Sequence, residues 1–218
     1  MKLTVIGNWG GYPKANEASS GYLLQHEDYH LLLDCGSGVL SKLQTILTPE
    51  LLKGVLITHF HADHIADIGV LQHARLIAGL LGQQMDCLPI YAHDLDKSEF
   101  SKLTYKEITK GIAYQENEKL TVGPFQVQFL KTKHPADCFA MRLETCGKSL
   151  VYTGDTAFKE ELVSFSQDAD LLLCECNFYG QQNGVNAGHM TSYDAGKLAA
   201  KANVKRMVLT HLPHYGNI

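Results

Sequence analysis

The sequence predicts a mixed α/β (α+β) fold, and three observations carry that prediction. Short, apolar, β-branched runs recur along the chain, among them Lys53-Gly54-Val55-Leu56-Ile57-Thr58, which reads as a buried strand. Other stretches carry apolar residues at helical spacing, most clearly Ile65 through Leu81. Between that strand and that helix lies Thr58-His59-Phe60-His61-Ala62-Asp63-His64, which sets four potential metal ligands within six residues. The end of a strand is where α/β folds place their chemistry. Imidazole and carboxylate donors without thiolate suit zinc, with manganese and iron as alternatives. A polar loop that merely happens to be rich in histidine does not account for ligands so closely set.

Length and composition bound the rest. A chain of 218 residues with 45% hydrophobic and 19% charged residues builds a substantial core without staples and is read as one domain, residues 1–218. The net charge of −4 offers no general basic field, which argues against a nucleic-acid-binding surface. Met1 to Gly7 reads as a strand rather than a secretory signal, because the apolar run is short and no small-residue cleavage site follows. No run of eighteen apolar residues spans a membrane. The six cysteines Cys35, Cys87, Cys138, Cys146, Cys174 and Cys176 lie in apolar contexts, so buried free thiols are expected rather than a disulfide framework, and the cytoplasm is the expected compartment. Cys174 and Cys176 alternate onto one face of a strand; a metal role is open to them, but a packed core explains them as well and is preferred.

In chain order, the Lys2–Gly7 strand leads into the turn Trp9-Gly10-Gly11-Tyr12-Pro13. Those glycines lack the Lys-Ser/Thr of a phosphate-cradling loop, so a turn is the reading. Ser20 to His26 and Tyr29 to Asp34 form a hairpin, and Ser37 is placed to cap a helix running to about Leu47. Leu88 to His93 is a further strand; His93, alone at its end, is read as a surface or turn residue. An amphipathic segment at Lys97 to Leu103 precedes two β-rich runs, Gly111 to Val122 and Phe125 to Lys133, the second ending at His134. Phe139 to Thr145 and Lys148 to Thr153 pair as a hairpin that delivers Gly154-Asp155-Thr156. Asp170 to Cys176 is a buried strand, followed by a polar loop from Phe178 to Gly188. Thr191-Ser192-Tyr193-Asp194 has the form of a capping box opening a helix to about Ala202, and Lys205 to Thr210 is a last strand carrying His211.

The His-x-His-x-Asp-His loop is the signature that makes the sequence resemble the metallo-β-lactamase superfamily, within it the ribonuclease Z-like branch of hydrolases. The resemblance extends over nearly the whole chain, through Lys133-His134-Pro135, Thr153-Gly154-Asp155-Thr156 and Leu209-Thr210-His211-Leu212. It implies a four-layered αββα sandwich and a site for two divalent ions. By resemblance, His59, His61 and His134 hold one ion, Asp63, His64 and His211 hold the second, and Asp155 bridges both. An aspartate in the place of Asp34 supports the metal loop in that family, although a plain turn aspartate fits the residues equally. Members of that family usually continue through further elements past the position of Ile218, the end here being either natural or a truncation, and dimers are common among them, so a homodimer is an expectation of the resemblance.

Two ions about 3.5–4 Å apart lower the pKa of a shared water toward neutrality and polarise the substrate oxygen. Five imidazoles with two carboxylates favour zinc among the candidates. Asp155 stands where true β-lactamases tend to carry a cysteine, and His61 where flavodiiron oxygen reductases carry a carboxylate, so antibiotic hydrolysis and redox chemistry are not expected. Glu175 and His189 match the glutamate–histidine pair of ribonuclease Z that supplies a proton to the leaving oxygen, and with Asp63 they make up the catalytic set. His189 also precedes a helix, whose free amides favour an anion; the alternatives are a structural carboxylate and a simple helix-preceding polar residue. Only twenty residues separate His134 from Asp155, which leaves no room for the arm that grips transfer RNA, and no basic cluster replaces it.

The resulting expectation is a dinuclear metal-dependent hydrolase acting through a metal-bridging hydroxide on a small or medium phosphodiester. Neither long RNA nor a membrane is expected as a partner. A hydrolase of carboxylic esters, thioesters or lactones would use the same metals without a leaving-group acid. A metal-binding sensor without turnover is the reading from another class.

Overall fold

The computed structural model describes residues 1–217. It has the mixed α/β class expected, as two compact units, Met1–Tyr114 and the remainder from Gln115. Among the described residues, no helix is long and apolar enough to cross a membrane.

The first unit is built on a six-stranded sheet in the order β1-β2-β3-β4-β5-β6, its strands being β1 (Lys2–Gly7), β2 (Gly21–His26), β3 (Tyr29–Leu33), β4 (Gly54–Leu56), β5 (Leu88–Ala92) and β6 (Thr109–Ala113). β1, β2 and β3 run antiparallel, then β3 through β6 run parallel, so the connections after β3 must cross over the sheet. Helices α1 (Val39–Leu43), α2 (Ala62–Ile65), α3 (Ile68–Leu80) and α4 (Lys97–Ser101) supply those connections. Val39, Leu40 and Leu43 of α1 and Ile68 and Leu71 of α3 pack with Leu23, Leu32, Val55, Ile57 and Ile90 as one buried core. The alternate strand residues Tyr22, Leu24, Leu31, Leu33 and Leu56 are also buried. Burial on both faces explains why these strands read as continuous apolar runs rather than as alternation.

The second unit repeats the plan, with strand order β12-β11-β10-β9-β8-β7. These are β7 (Lys119–Val122), β8 (Phe125–Lys131), β9 (Phe139–Thr145), β10 (Lys148–Tyr152), β11 (Leu171–Glu175) and β12 (Met207–Thr210), with helices α5 (Glu161–Phe165) and α6 (Ser192–Lys201). β7 to β10 form an antiparallel meander and β10 to β12 are parallel. Leu162 of α5 and Ala195 and Leu198 of α6 pack with Val151, Leu172 and Cys174. The capping box is present: the Thr191 side chain accepts from the Asp194 amide, and the Asp194 carboxylate accepts from the Thr191 amide.

Four local expectations change, each for a visible reason. The helix expected from Ile65 to Leu81 is split, and Asp63 and His64 lie in its short first piece, α2. In an unbroken helix the His64 carbonyl would accept from residue 68; here it accepts from the Cys35 amide at 2.7 Å, and the Asp67 amide donates to the Cys35 carbonyl at 3.0 Å. The helix after Ser37 is only five residues long, its start set by Gly38 at φ 80 rather than by a serine cap, and it loosens into single turns before Leu47. The run Gly111–Val122 divides at Tyr114, whose hydroxyl donates to the Ile57 carbonyl at 2.8 Å. Two of the thiols expected to be buried, Cys87 and Cys146, are exposed; Cys146 sits at φ 48 in the two-residue turn between β9 and β10, which projects from the sheet.

Candidate functional site

In the first unit the chain leaves β4 at Ile57, and the side chain of Asp34 takes over where the sheet ladder stops. Asp34 Oδ1 accepts from the Thr58 amide at 2.8 Å, and Oδ2 accepts from the Thr58 hydroxyl at 2.9 Å and lies 2.7 Å from His64 Nδ1. Asp34 itself is left-handed, at φ 55, a conformation that aspartate tolerates better than most side chains. Because a carboxylate can only accept, His64 carries its proton on Nδ1 and leaves Nε2 as the donor atom toward a metal. The Thr58 hydroxyl oxygen also lies 3.1 Å from His59 Nδ1. The four expected ligands of this loop are close: the His59 ring centre is 4.6 Å from that of His61 and 4.2 Å from that of His64, and His64 Nε2 is 3.6 Å from Asp63 Oδ2. His59, Asp63 and His64 are buried while His61 is exposed.

Two backbone features hold this loop. Gly36 passes so near the Asp63 carbonyl that an added Cβ would lie 1.9 Å from its oxygen, so only glycine fits. The Gly11 amide donates to Asp63 Oδ2 at 2.7 Å, which turns the Trp9–Pro13 segment, read from sequence as a plain turn, into a support for a candidate ligand. Gly11 stands at φ 74, which favours glycine. Half-burial raises the pKa of the Asp67 carboxyl, against the pull of the Leu40 and Gly38 amides that donate to it. His93, read as a surface or turn residue, is instead buried, with its ring centre 4.7 Å from that of Phe60.

In the second unit His134 follows β8, Asp155 follows β10 and His211 follows β12, each past the strand end at which it was expected. His134 Nδ1 donates to the Gly188 carbonyl at 3.0 Å, and its Nε2 lies 4.0 Å from Asp155 Oδ2. Gly188 is constrained to match: a Cβ there would meet His134 Nδ1 at 2.9 Å. His211 Nε2 is 3.3 Å from the same Asp155 oxygen, and His211 holds a left-handed backbone at φ 52. Asn177 Nδ2 donates to the His211 carbonyl at 3.1 Å, a contact that no local pattern announces.

Glu175, at the end of β11 and wholly buried, is a hub of four donors. Oε1 accepts from the Thr156 amide at 2.7 Å and from His189 Nδ1 at 2.9 Å; Oε2 accepts from the Met190 amide at 3.1 Å and the Asn177 amide at 3.3 Å. Burial raises the pKa of the Glu175 carboxyl, and the hydrogen bond and charge of His189 pull against that rise. Through those amides one carboxylate fixes the residues next to Asp155 and His189 and the residue that holds His211. Glu175, His189 and His211 bring one donor atom each within 4.8 Å of one another, and the His189 ring stacks on His211 with centres 5.2 Å apart. With Nδ1 turned to Glu175, His189 presents Nε2 for proton transfer. Cys174 is fully buried and packs into the core; burial raises its thiol pKa well above the ordinary value.

The donor chemistry of both units fits divalent metal ions: in each an imidazole is tied back at Nδ1, His64 to the Asp34 carboxylate and His134 to the Gly188 carbonyl, with a carboxylate near its Nε2. The family model described as beta-lactamase superfamily domain matches residues 29–212. The chain belongs to that superfamily and has the metallo-β-lactamase fold. It is 54% identical over 216 residues to a Bacillus subtilis protein named probable metallo-hydrolase YhfI, covering 99% of this chain and 88% of the relative. The crystal structure of YhfI superposes with a TM-score of 0.98, at 52% identity, over 99% of this chain and 87% of that one. More distantly, the chain is 27% identical to a ribonuclease Z of Prochlorococcus marinus, covering 99% of this chain and 88% of the relative. The crystal structure of the short form of human tRNase Z shares the fold with a TM-score of 0.81, at 21% identity, over 98% of this chain and 93% of that one.

Proposed function

We propose that the protein is a dinuclear metal-dependent hydrolase that cleaves a phosphodiester of modest size. Membership of the superfamily and the name of the YhfI relative support a hydrolase; the ribonuclease Z relatives favour a phosphodiester. In this reading His59, His61 and His134 hold one ion, Asp63, His64 and His211 hold the other, and Asp155 serves both, with zinc preferred to manganese or iron for a set of five imidazoles and two carboxylates. When bound, the ions supply the positive charge that makes a water nucleophilic at neutral pH and polarises the phosphoryl group.

The observation that carries the phosphodiester assignment is the Glu175–His189 pair, at 2.9 Å. A phosphodiester has a poor alkoxide leaving group, which departs more readily when a positioned acid gives it a proton. His189 is that acid, and Glu175 is the group that holds its ring and its Nδ1 proton. Cleavage of an activated ester or a lactone needs no such donor.

The test is turnover of bis(p-nitrophenyl) phosphate, a p-nitrophenyl ester and a lactone by protein of measured metal content. Selective phosphodiester cleavage is expected, and His189→Ala is expected to retain its metals while losing about 10²–10⁴-fold in kcat on an alkyl phosphodiester. Ester or lactone cleavage alone, indifferent to His189, would move the protein to the carboxylic-ester reading. A metal-loaded protein inert on every substrate would favour a sensor.

A further inference from the structure

β11 and β12 run parallel, and beyond their paired residues the Cys176 amide still donates to the Thr210 carbonyl at 2.8 Å. One residue further on, the tie between the two chains passes to side chains, and Asn177 is the junction. Its amide donates to Glu175 Oε2 at 3.3 Å, its Nδ2 donates to the His211 carbonyl at 3.1 Å, and its own carbonyl accepts from the Tyr215 hydroxyl at 3.3 Å. The Tyr215 hydroxyl shares its one proton with Gln182 Oε1 at 3.0 Å, an oxygen that also accepts from the Tyr179 amide at 2.8 Å. Tyr179 reaches back the other way. Its hydroxyl proton is shared between the carbonyls of Tyr215 at 2.9 Å and Asn217 at 3.1 Å, and the two rings lie with centres 5.7 Å apart. Gly216 permits this approach: it stands at φ 78, and a Cβ there would collide with the Tyr179 hydroxyl.

The residue that gains from this is His211. Its backbone is left-handed at φ 52, a conformation that a residue with a side chain keeps only where its surroundings fix it. From that conformation its Nε2 reaches to 3.3 Å from Asp155 Oδ2. Asn177 holds the His211 carbonyl, while the tyrosines hold both Asn177 and the chain past His211, at Tyr215 and Asn217. We infer that Tyr179 and Tyr215 form a reciprocal clasp that positions His211 for its metal ion. Both hydroxyls donate to oxygens of the chain itself, so the pair acts through Asn177 and the backbone rather than as ligands. A ligand fixed beforehand in its binding conformation loses less freedom when the ion arrives, which tightens binding. The clasp rests on the reading in which His211 holds an ion, and adds to it the residues that keep that ligand in place.

The experiment measures zinc binding to the full chain by competition against a chelating dye, in wild type, Tyr179→Phe and Tyr215→Phe. Each variant removes one hydroxyl and keeps the ring. Each is expected to bind one zinc ion as wild type does and the other about 10-fold more weakly, the low end of the loss that follows removal of an outer partner. The melting temperature of the metal-free protein is expected to fall by no more than about 4 °C, the effect of a single hydrogen bond in a chain of this size. Zinc affinities unchanged in both variants, whatever the melting temperature, would reduce the pair to a structural contact and overturn the inference. An equal loss at both ions also overturns it, because His211 would not be singled out. If the wild type binds no divalent ion, the metal reading itself fails, and proton exchange of the Asn177 side-chain amide, followed by NMR in the metal-free protein, decides the clasp alone. Faster exchange in Tyr215→Phe than in wild type supports the clasp, and an equal rate overturns it.

Discussion

Asp34 and His64, thirty residues apart in the chain, meet at 2.7 Å with both side chains removed from solvent. One carboxylate thereby sets the tautomer of a candidate metal ligand and, through the Thr58 amide and hydroxyl, the start of the loop that carries the others. Loss of such an outer partner typically weakens metal binding about 10- to 100-fold. Asp34→Ala is therefore expected to weaken zinc binding within that range, measured by competition against a chelating dye, and to destabilise the metal-free protein by about 1–3 kcal/mol through the Thr58 groups left unpaired. Asp34→Asn, which tolerates the left-handed backbone and still accepts from Thr58, should fold better than Asp34→Ala. Equal zinc affinity in wild type and Asp34→Ala would contradict the role.

Arg75 is buried, and its guanidinium donates to three backbone carbonyls, those of Pro49 at 3.0 Å, Glu50 at 3.3 Å and Asp86 at 2.7 Å. It ties α3 to the turn before β4 and to the loop before β5. Arg75→Leu keeps apolar volume but strands those acceptors, at about 1 kcal/mol or more each. A loss of about 3 kcal/mol is expected in urea unfolding of the metal-free protein, and a loss under about 0.5 kcal/mol would show that the carbonyls find other donors.

Asp170 joins the starts of β10 and β11 by accepting from the Ser149 amide at 2.9 Å and from Lys205 Nζ at 2.8 Å. Lys205 first, and then the Ser149 amide, hold its carboxyl well below the usual carboxylate range. The folded pKa lies below the unfolded value of about 3.9, so the unfolded state binds the proton first as pH falls. The stabilisation is therefore present above about pH 4 and disappears as pH drops through the folded pKa. Asp170→Asn should lower the melting temperature at pH 7, with the gap to wild type closing below about pH 4. A gap that is the same at pH 7 and pH 2.5 would mean that the ionised form contributes nothing.

How much of this was legible beforehand depended on how local each feature is. The ligand loop His59–His64 carries its own spacing, and the capping box at Thr191–Asp194 spans four residues, so both could be read directly. The split between α2 and α3 could not, because the group that breaks the helix is the Cys35 amide, nearly thirty residues upstream. Asp34 remained open between turn and support until its partners were located. The role of Gly11 was missed because its partner, Asp63, is 52 residues away, although paired glycines at a strand end are the signal of an amide free to approach a carboxylate. His93 went the same way: a lone histidine says nothing of the Phe60 ring that covers it.

By itself, the sequence determined that His59, His61, Asp63 and His64 share one loop just past a buried strand and that Thr191–Asp194 opens a helix, since these follow from residue chemistry and backbone periodicity along a few neighbouring positions. The tertiary structure alone decided that Glu175 gathers three backbone amides from two separate connections, that Asn177 holds His211, and that Gly11 and Gly36 meet Asp63. Such contacts depend on strand order and register, and one residue of slip in a strand turns every one of its side chains to the opposite face.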